Sequence, residues 1–285
     1  VLFRSNAEGR SANSEGHGPE VEVVTNRRRY LARVVVAADG ARSTVRALQS
    51  GRARRDHAAR GPSVLIEGTT PYREGESSKA YFDFTRMERG LQGYLWDFPG
   101  LAGGERLRTV GVFDSRIAPR RHRGVPREAL VHTLSKCAIG KGRDIKGFPL
   151  RRFDYPHLPL HAPRLLYVGD AAGADPMLGE GISFALSYGE VAAETISAAF
   201  AANGFSFSGY ERRVRRHPVT SQLLWRRRVA RLFCTLGGPL SIRLLWLFIP
   251  TITRLIIRIW PRYIPARRPI LVVNRRGDSR PGRPF

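Results

Sequence analysis

The chain has 285 residues, enough for one large core or two domains, and carries 48 Lys and Arg against 24 Asp and Glu, a formal charge of +24. Its two cysteines, Cys137 and Cys234, have no metal-type spacing to a histidine or to each other. That argues against a disulfide scaffold and a zinc site and suits a reducing compartment.

In chain order, Val1-Leu2-Phe3-Arg4-Ser5 resembles a translated sequencing adapter, and no initiating Met precedes it. Residues 1–5 are therefore expected to be an artefact and are set aside. The run Arg33-Val34-Val35-Val36-Ala37 predicts a buried parallel strand, Asp39-Gly40 a turn, and the following residues a helix with Ser43 near its start. Asp-Gly after a strand is most often only a turn. Arg42 and Arg46 are equally readable as phosphate contacts or as solvated helix arginines.

Four strands are expected next, over 63–68, 79–84, 93–98 and 107–113, the last two forming a hairpin closed by 99–104. Tyr94, Trp96 and Phe98 alternate, so their rings project from one face, either as core or as the apolar wall of a cavity.

A short buried strand, Arg164 to Val168, then runs into Gly169-Asp170-Ala171-Ala172-Gly173-Ala174-Asp175-Pro176-Met177-Leu178-Gly179-Glu180-Gly181-Ile182. Gly169 allows a tight turn and Asp170 presents a carboxylate at the strand's carboxyl end. Pro176 to Gly181 opens a helix whose free N–H groups favour an anion or an electron-rich ring edge. Glu180 at that helix start has the simpler role of complementing the dipole.

From Glu211 onward the only acids are Glu211 and Asp278, against arginine clusters at 212–216 and 226–231. Such a basic tail points to a polyanion, either nucleic acid or an anionic membrane. Leu240 to Trp260 is apolar, edged by Arg243, Arg254 and Arg258 and interrupted by Pro250. It falls short of the ~20 apolar residues of a spanning helix and suits one lying in the interface plane. An anionic membrane surface met through Arg212–Trp260 is thus preferred to nucleic acid, with core packing as the plainer alternative.

The Asp39-Gly40 and Gly169–Ile182 segments, roughly 130 residues apart, together resemble the second and third FAD motifs of the flavoprotein monooxygenase and geranylgeranyl reductase superfamily. The resemblance covers most of residues 30–205. It implies an α/β (α+β overall) fold, with an incomplete Rossmann-type FAD domain, an antiparallel-sheet substrate domain and a basic helical C-terminal region. Segments would fall at 6–56 and 161–205 for the FAD domain, 57–160 for the substrate domain and 206–285 for the tail. The family's first motif, G-x-G-x-x-G after an amino-terminal strand, is not found, which suggests a truncated fragment unable to turn over on its own.

By resemblance, FAD would be held by Asp39, Gly40, Gly169, Asp170, Pro176, Gly179, Glu180, Gly181 and Ile182, with NAD(P)H or another reductant. Tyr94-x-Trp96-x-Phe98-Pro99 is similar to the aromatic run lining the lipid cavity of geranylgeranyl reductases. The implied activity is flavin-dependent reduction of C=C bonds in an isoprenoid or other membrane lipid, in the cytoplasm or peripheral on the inner membrane face. The alternatives are a flavin monooxygenase or halogenase relative acting on a small molecule, and a non-catalytic basic protein binding membrane or nucleic acid. No residue is assigned a catalytic role.

Overall fold

The computed structural model describes residues 2–5, 21–49, 63–71, 79–118, 146–236 and 247, with the backbone alone for 2–5, 63–71 and 102. The chain divides into two units, Val1–Ile242 and Arg243–Phe285. In the second unit only Leu247 is described; it is helical and exposed. The rest of the stretch Leu240–Trp260, expected to lie in a membrane interface, is outside the described residues, as is Cys137.

Among the described residues three sheets organise the first unit. An antiparallel sheet joins β1 (Leu2–Ser5), β2 (Val21–Val24) and β3 (Arg29–Ala32). The second sheet holds the two predicted motif strands side by side. β4 (Val35–Ala37) pairs parallel with β11 (Leu165–Tyr167), Val35 opposite Leu165 and Ala37 opposite Tyr167, and β10 (His161–Ala162) closes the other edge. Because the strands run parallel and in register, both carboxyl ends open at one edge, where α/β folds place ligands.

The third sheet is wholly antiparallel, in the order β6 (Tyr81–Asp83), β7 (Gly93–Ala102), β8 (Glu105–Asp114), β5 (Ser63–Pro71), β9 (Lys146–Leu150). The predicted loop over 99–104 is mostly strand. Pairing of β7 with β8 continues to Ala102 opposite Glu105, so the turn is Gly103-Gly104 alone, with φ +60° and +83°. Positive φ at both positions is the two-residue hairpin geometry that glycine favours. Pro99, lacking an N–H, lies beyond the end of β6 pairing at Asp97, where no donor is needed on that side.

Besides a 3-10 helix at Thr85–Arg89 and the helical Leu247, the described residues hold five α-helices: α1 (Thr44–Gln49), α2 (Gly169–Ala172), α3 (Ile182–Ala201), α4 (Tyr210–Arg216) and α5 (Gln222–Leu236). Leu165, Leu166, Tyr167, Phe184, Tyr188, Val191, Tyr210, Val214 and Leu223 share one core between the parallel strands and the helices. The Tyr210 hydroxyl donates to the Tyr167 carbonyl at 3.0 Å, tying α4 to β11. The fold is therefore mixed α/β, with a partial Rossmann-like layer, an antiparallel sheet and a helical C-terminal region. Among the described residues no helix is long and apolar enough to cross a membrane.

Arg46 has neither of its two expected roles. Its side chain is buried, donating to the carbonyls of Ala171 at 2.9 Å and Pro159 at 2.8 Å, with the guanidinium 3.7 Å from the Tyr167 ring centroid. Burial lowers its pKa to about 10, which leaves it charged at neutral pH. The buried cation thus bolts α1 to α2 and β11. Two arginines of the basic tail also turn inward: Arg226 pairs with Asp175 at 2.8 Å, and Arg227 pairs with Asp154 at 2.5 Å.

Candidate functional site

At the carboxyl end of β4, Asp39 and Gly40 form the predicted turn. Asp39 Oδ2 accepts the backbone N–H groups of Thr44 at 2.7 Å and Val45 at 3.2 Å, and Ser43 Oγ accepts that of Arg46 at 3.0 Å. The first donors of α1 are thereby satisfied, a capping role of about 1 kcal/mol each. Asp39 is nonetheless exposed on its other side.

At the end of β11 the chain turns through Gly169, with φ +55°, into α2. Asp170 is half-buried, and burial raises its carboxyl above the ordinary value. A Cβ at Gly181 would stand 3.3 Å from Asp170 Oδ1, so the carboxylate lies against the start of α3. Asp39 and Asp170 line a single groove of about 530 Å³, with Ala41, Arg42 and the β9 residues Phe148 to Leu150. Two motifs far apart in sequence thus meet on one surface.

Arg151 borders this region, donating from Nε to the Ala41 carbonyl at 3.1 Å. Burial lowers its pKa, with the Asp39 carboxylate opposing that shift. It steadies the Asp39-Gly40 turn from the antiparallel-sheet side, a role the sequence did not signal.

The segment from Gly173 to Glu180 is held from three directions. Residues 151–153 run beside it, with Phe153 N–H donating to Ala174 O at 2.9 Å and Ala174 N–H to Arg151 O at 2.7 Å. Ser115 Oγ, just past the end of β8, donates to Pro176 O at 2.6 Å, and Tyr94 Oη on β7 donates to Leu178 O at 2.8 Å. Asp175, fully buried, accepts the N–H groups of Met177 at 2.9 Å and Leu178 at 3.2 Å and the Arg226 guanidinium at 2.8 Å. Burial pushes the Asp175 carboxyl up, while Arg226 and the two N–H donors pull it back.

Two glycines fit this packing and nothing larger. A Cβ at Gly173 would stand 2.6 Å from the Phe153 Cα, and one at Gly179 would stand 2.7 Å from the Phe113 ring. Both also have positive φ.

The donors at the start of α3 are partly spent. Gly179 N–H donates to Asp175 O at 3.1 Å, and Ser183 N–H to Glu180 Oε1 at 3.0 Å. Pro176 has no N–H, and its carbonyl is taken by Ser115. Among the described residues, the N–H groups of Glu180, Gly181 and Ile182 have no acceptor. Glu180 caps α3 as a dipole-complementing acid does.

Tyr94, Trp96 and Phe98 lie in one row on β7, with ring centroids 5.9 and 6.3 Å apart. Tyr94 and Trp96 are buried against Phe113, Leu150 and Ala174, forming the seam between the antiparallel sheet and the 173–179 segment. Burial, with Asp175 and Glu180 nearby, raises the Tyr94 phenol well above its ordinary value and keeps it protonated. Phe98 is half-buried and meets the exposed Phe82 ring at 5.0 Å.

No protein-family model and no curated protein sequence matches the chain. Solved structures do. A geranylgeranyl bacteriochlorophyll reductase-like protein from Thermoplasma acidophilum superimposes with a TM-score of 0.52 at 20% identity, over 80% of this chain and 58% of that one. A salicylate hydroxylase substrate complex superimposes with a TM-score of 0.53 at 18% identity, over 92% of this chain and 67% of that one. The chain thus spans a little over half of the first protein's length. At these identities the likeness is one of fold alone.

Proposed function

We propose that this chain belongs to an FAD-dependent oxidoreductase of the monooxygenase type acting on a small molecule. The observation that carries the reading is the shared groove of Asp39 and Asp170 at the carboxyl edge of the parallel strands, beside the acceptor-free N–H groups of Glu180 to Ile182. The residues present fit part of the cofactor. Carboxylates accept from the hydroxyls of a ribityl chain, and N–H groups at a helix start suit the electron-rich carbonyl edge of a flavin. When bound, the flavin supplies two-electron redox chemistry, with NAD(P)H or another reductant as its electron source. In this reading Asp170 orients the cofactor, Gly169 permits its approach, and Arg151 holds the Asp39 turn in place. Tyr94 is a wall residue, since its proton is already donated to Leu178 O.

Reduction of isoprenoid C=C bonds is the second reading, favoured by the apolar row of Phe82, Phe98 and Trp96. Product mass decides between the two. The protein is reconstituted with FAD and a reductant and supplied with aromatic acids or polyprenyl lipids, with and without oxygen. Gain of one oxygen atom, lost anaerobically, supports the monooxygenase. Gain of hydrogen pairs regardless of oxygen establishes the reductase in its place. Absence of bound flavin would overturn both.

A further inference from the structure

On the opposite side of α3 from its start, the C-terminal half of that helix and α4 enclose a second concavity, of about 540 Å³. Arg212, Arg213 and Arg216 line it, with His217 and Glu194, over a floor that includes the buried Val191. Arg212 and Arg216 stand one helical turn apart on the same face, where like charges repel. Among the described residues none of the three guanidiniums has a hydrogen-bond or ion-pair partner, and all three side chains belong to exposed residues. The neighbouring groups are otherwise committed. His217 Nδ1 accepts Val219 N–H at 3.3 Å, and its Nε2 faces Glu190 at 3.4 Å. Glu211, on the same helix, accepts the Leu160 N–H and faces His161, away from the arginines. Among the described residues Glu194 is the single carboxylate in the lining, against three arginines.

This contrasts with Arg226 and Arg227, which spend their charge on buried carboxylates. Three fork-shaped donors around one concavity are the geometry that binds the oxygens of a phosphate group. The space exceeds that of a bare phosphate and leaves room for the group that carries it.

We propose that Arg212, Arg213 and Arg216 form a binding pocket for a phosphate monoester, borne either by a soluble molecule or by a lipid headgroup. The pocket stands independently of the flavin reading, because it shares no residue with the Asp39–Asp170 groove.

The test uses the full chain at low salt with two probes: inorganic phosphate by calorimetry, and phosphatidylcholine vesicles containing phosphatidic acid by co-sedimentation. The pocket variant is R212A/R216A. The control, R228A/R231A, removes the same charge from exposed positions on α5 outside the pocket. Binding of either probe is expected to fall at least about tenfold in the pocket variant, the loss of two charge-assisted contacts, and to stay within about twofold in the control. Binding of inorganic phosphate identifies a soluble source; vesicle binding without it identifies the lipid headgroup. Failure of the wild-type chain to bind either probe would overturn the pocket. So would equal weakening by the control pair, which would reduce the effect to the diffuse charge of the tail.

Discussion

The Arg226 guanidinium of α5 donates to Oδ2 of Asp175 at 2.8 Å, so a helix of the basic C-terminal region clamps the segment that leads into α3. Asp175 is fully buried, and its remaining acceptor capacity holds the N–H groups of Met177 and Leu178. Arg226→Met strands that carboxylate without its counter-charge. Removing one partner of a buried pair costs about 3–5 kcal/mol. Chemical denaturation of the variant should show a loss of this size. A change below about 1 kcal/mol would mean that water replaces the guanidinium.

Gly179 and Gly40 both have positive φ, yet their surroundings differ. A Cβ at Gly179 would press on the Phe113 ring at 2.7 Å, whereas one at Gly40 meets nothing within 4 Å. Gly179→Ala is expected to cost about 3 kcal/mol or more, overpacking added to backbone strain, and Gly40→Ala about 1 kcal/mol from strain alone. Paired denaturation curves test the ordering; equal losses would show that Phe113 moves aside freely.

Asp170 has a folded-state pKa raised by burial. Protonation is therefore favoured by folding. The stability it contributes is fully present below its unfolded pKa of about 3.9 and is lost as pH rises through the higher folded value. Asp170→Asn, which cannot ionise, should match the wild type near the lower limit and exceed it in thermal midpoint at neutral pH. A gap between the two that does not vary with pH would contradict the burial effect. On the flavin reading, the same variant retains less cofactor despite its greater stability.

Cys234 is buried on α5, and burial pushes its thiol up to about 12. The thiolate is the reactive form, so alkylation near pH 8 should leave Cys234 unmodified in the native protein and modify it fully in denaturant. Peptide mass spectrometry reads this site directly. Rapid native labelling would mean that α5 opens readily.

The strands β4 and β11 were legible because a β-branched run and a buried apolar run each end in a turn carrying a carboxylate, whereas their pairing with each other was not called. Ser43 at the start of α1 was legible for a similarly local reason, since a helix begins with unsatisfied donors. Other features depended on partners far away in the chain. Arg46 looks like any helix arginine until Ala171, Pro159 and Tyr167 surround it. Nothing beside Asp175 announces Arg226, and nothing beside Pro176 announces Ser115. Gly179 was expected to offer its N–H outward, but the tight turn spends that donor on Asp175 O. The glycine is explained instead by its contact with Phe113, a neighbour supplied by the other sheet.

Because Tyr94 and Ser115 grip the 175–180 turn from one side and Arg226 from the other, that turn has no hinge of its own. Releasing it requires sheet and helix to let go together. The amides of Met177 and Leu178 should then exchange with deuterium only when the surrounding core opens, and the adjacent groove would keep its shape between one ligand and the next.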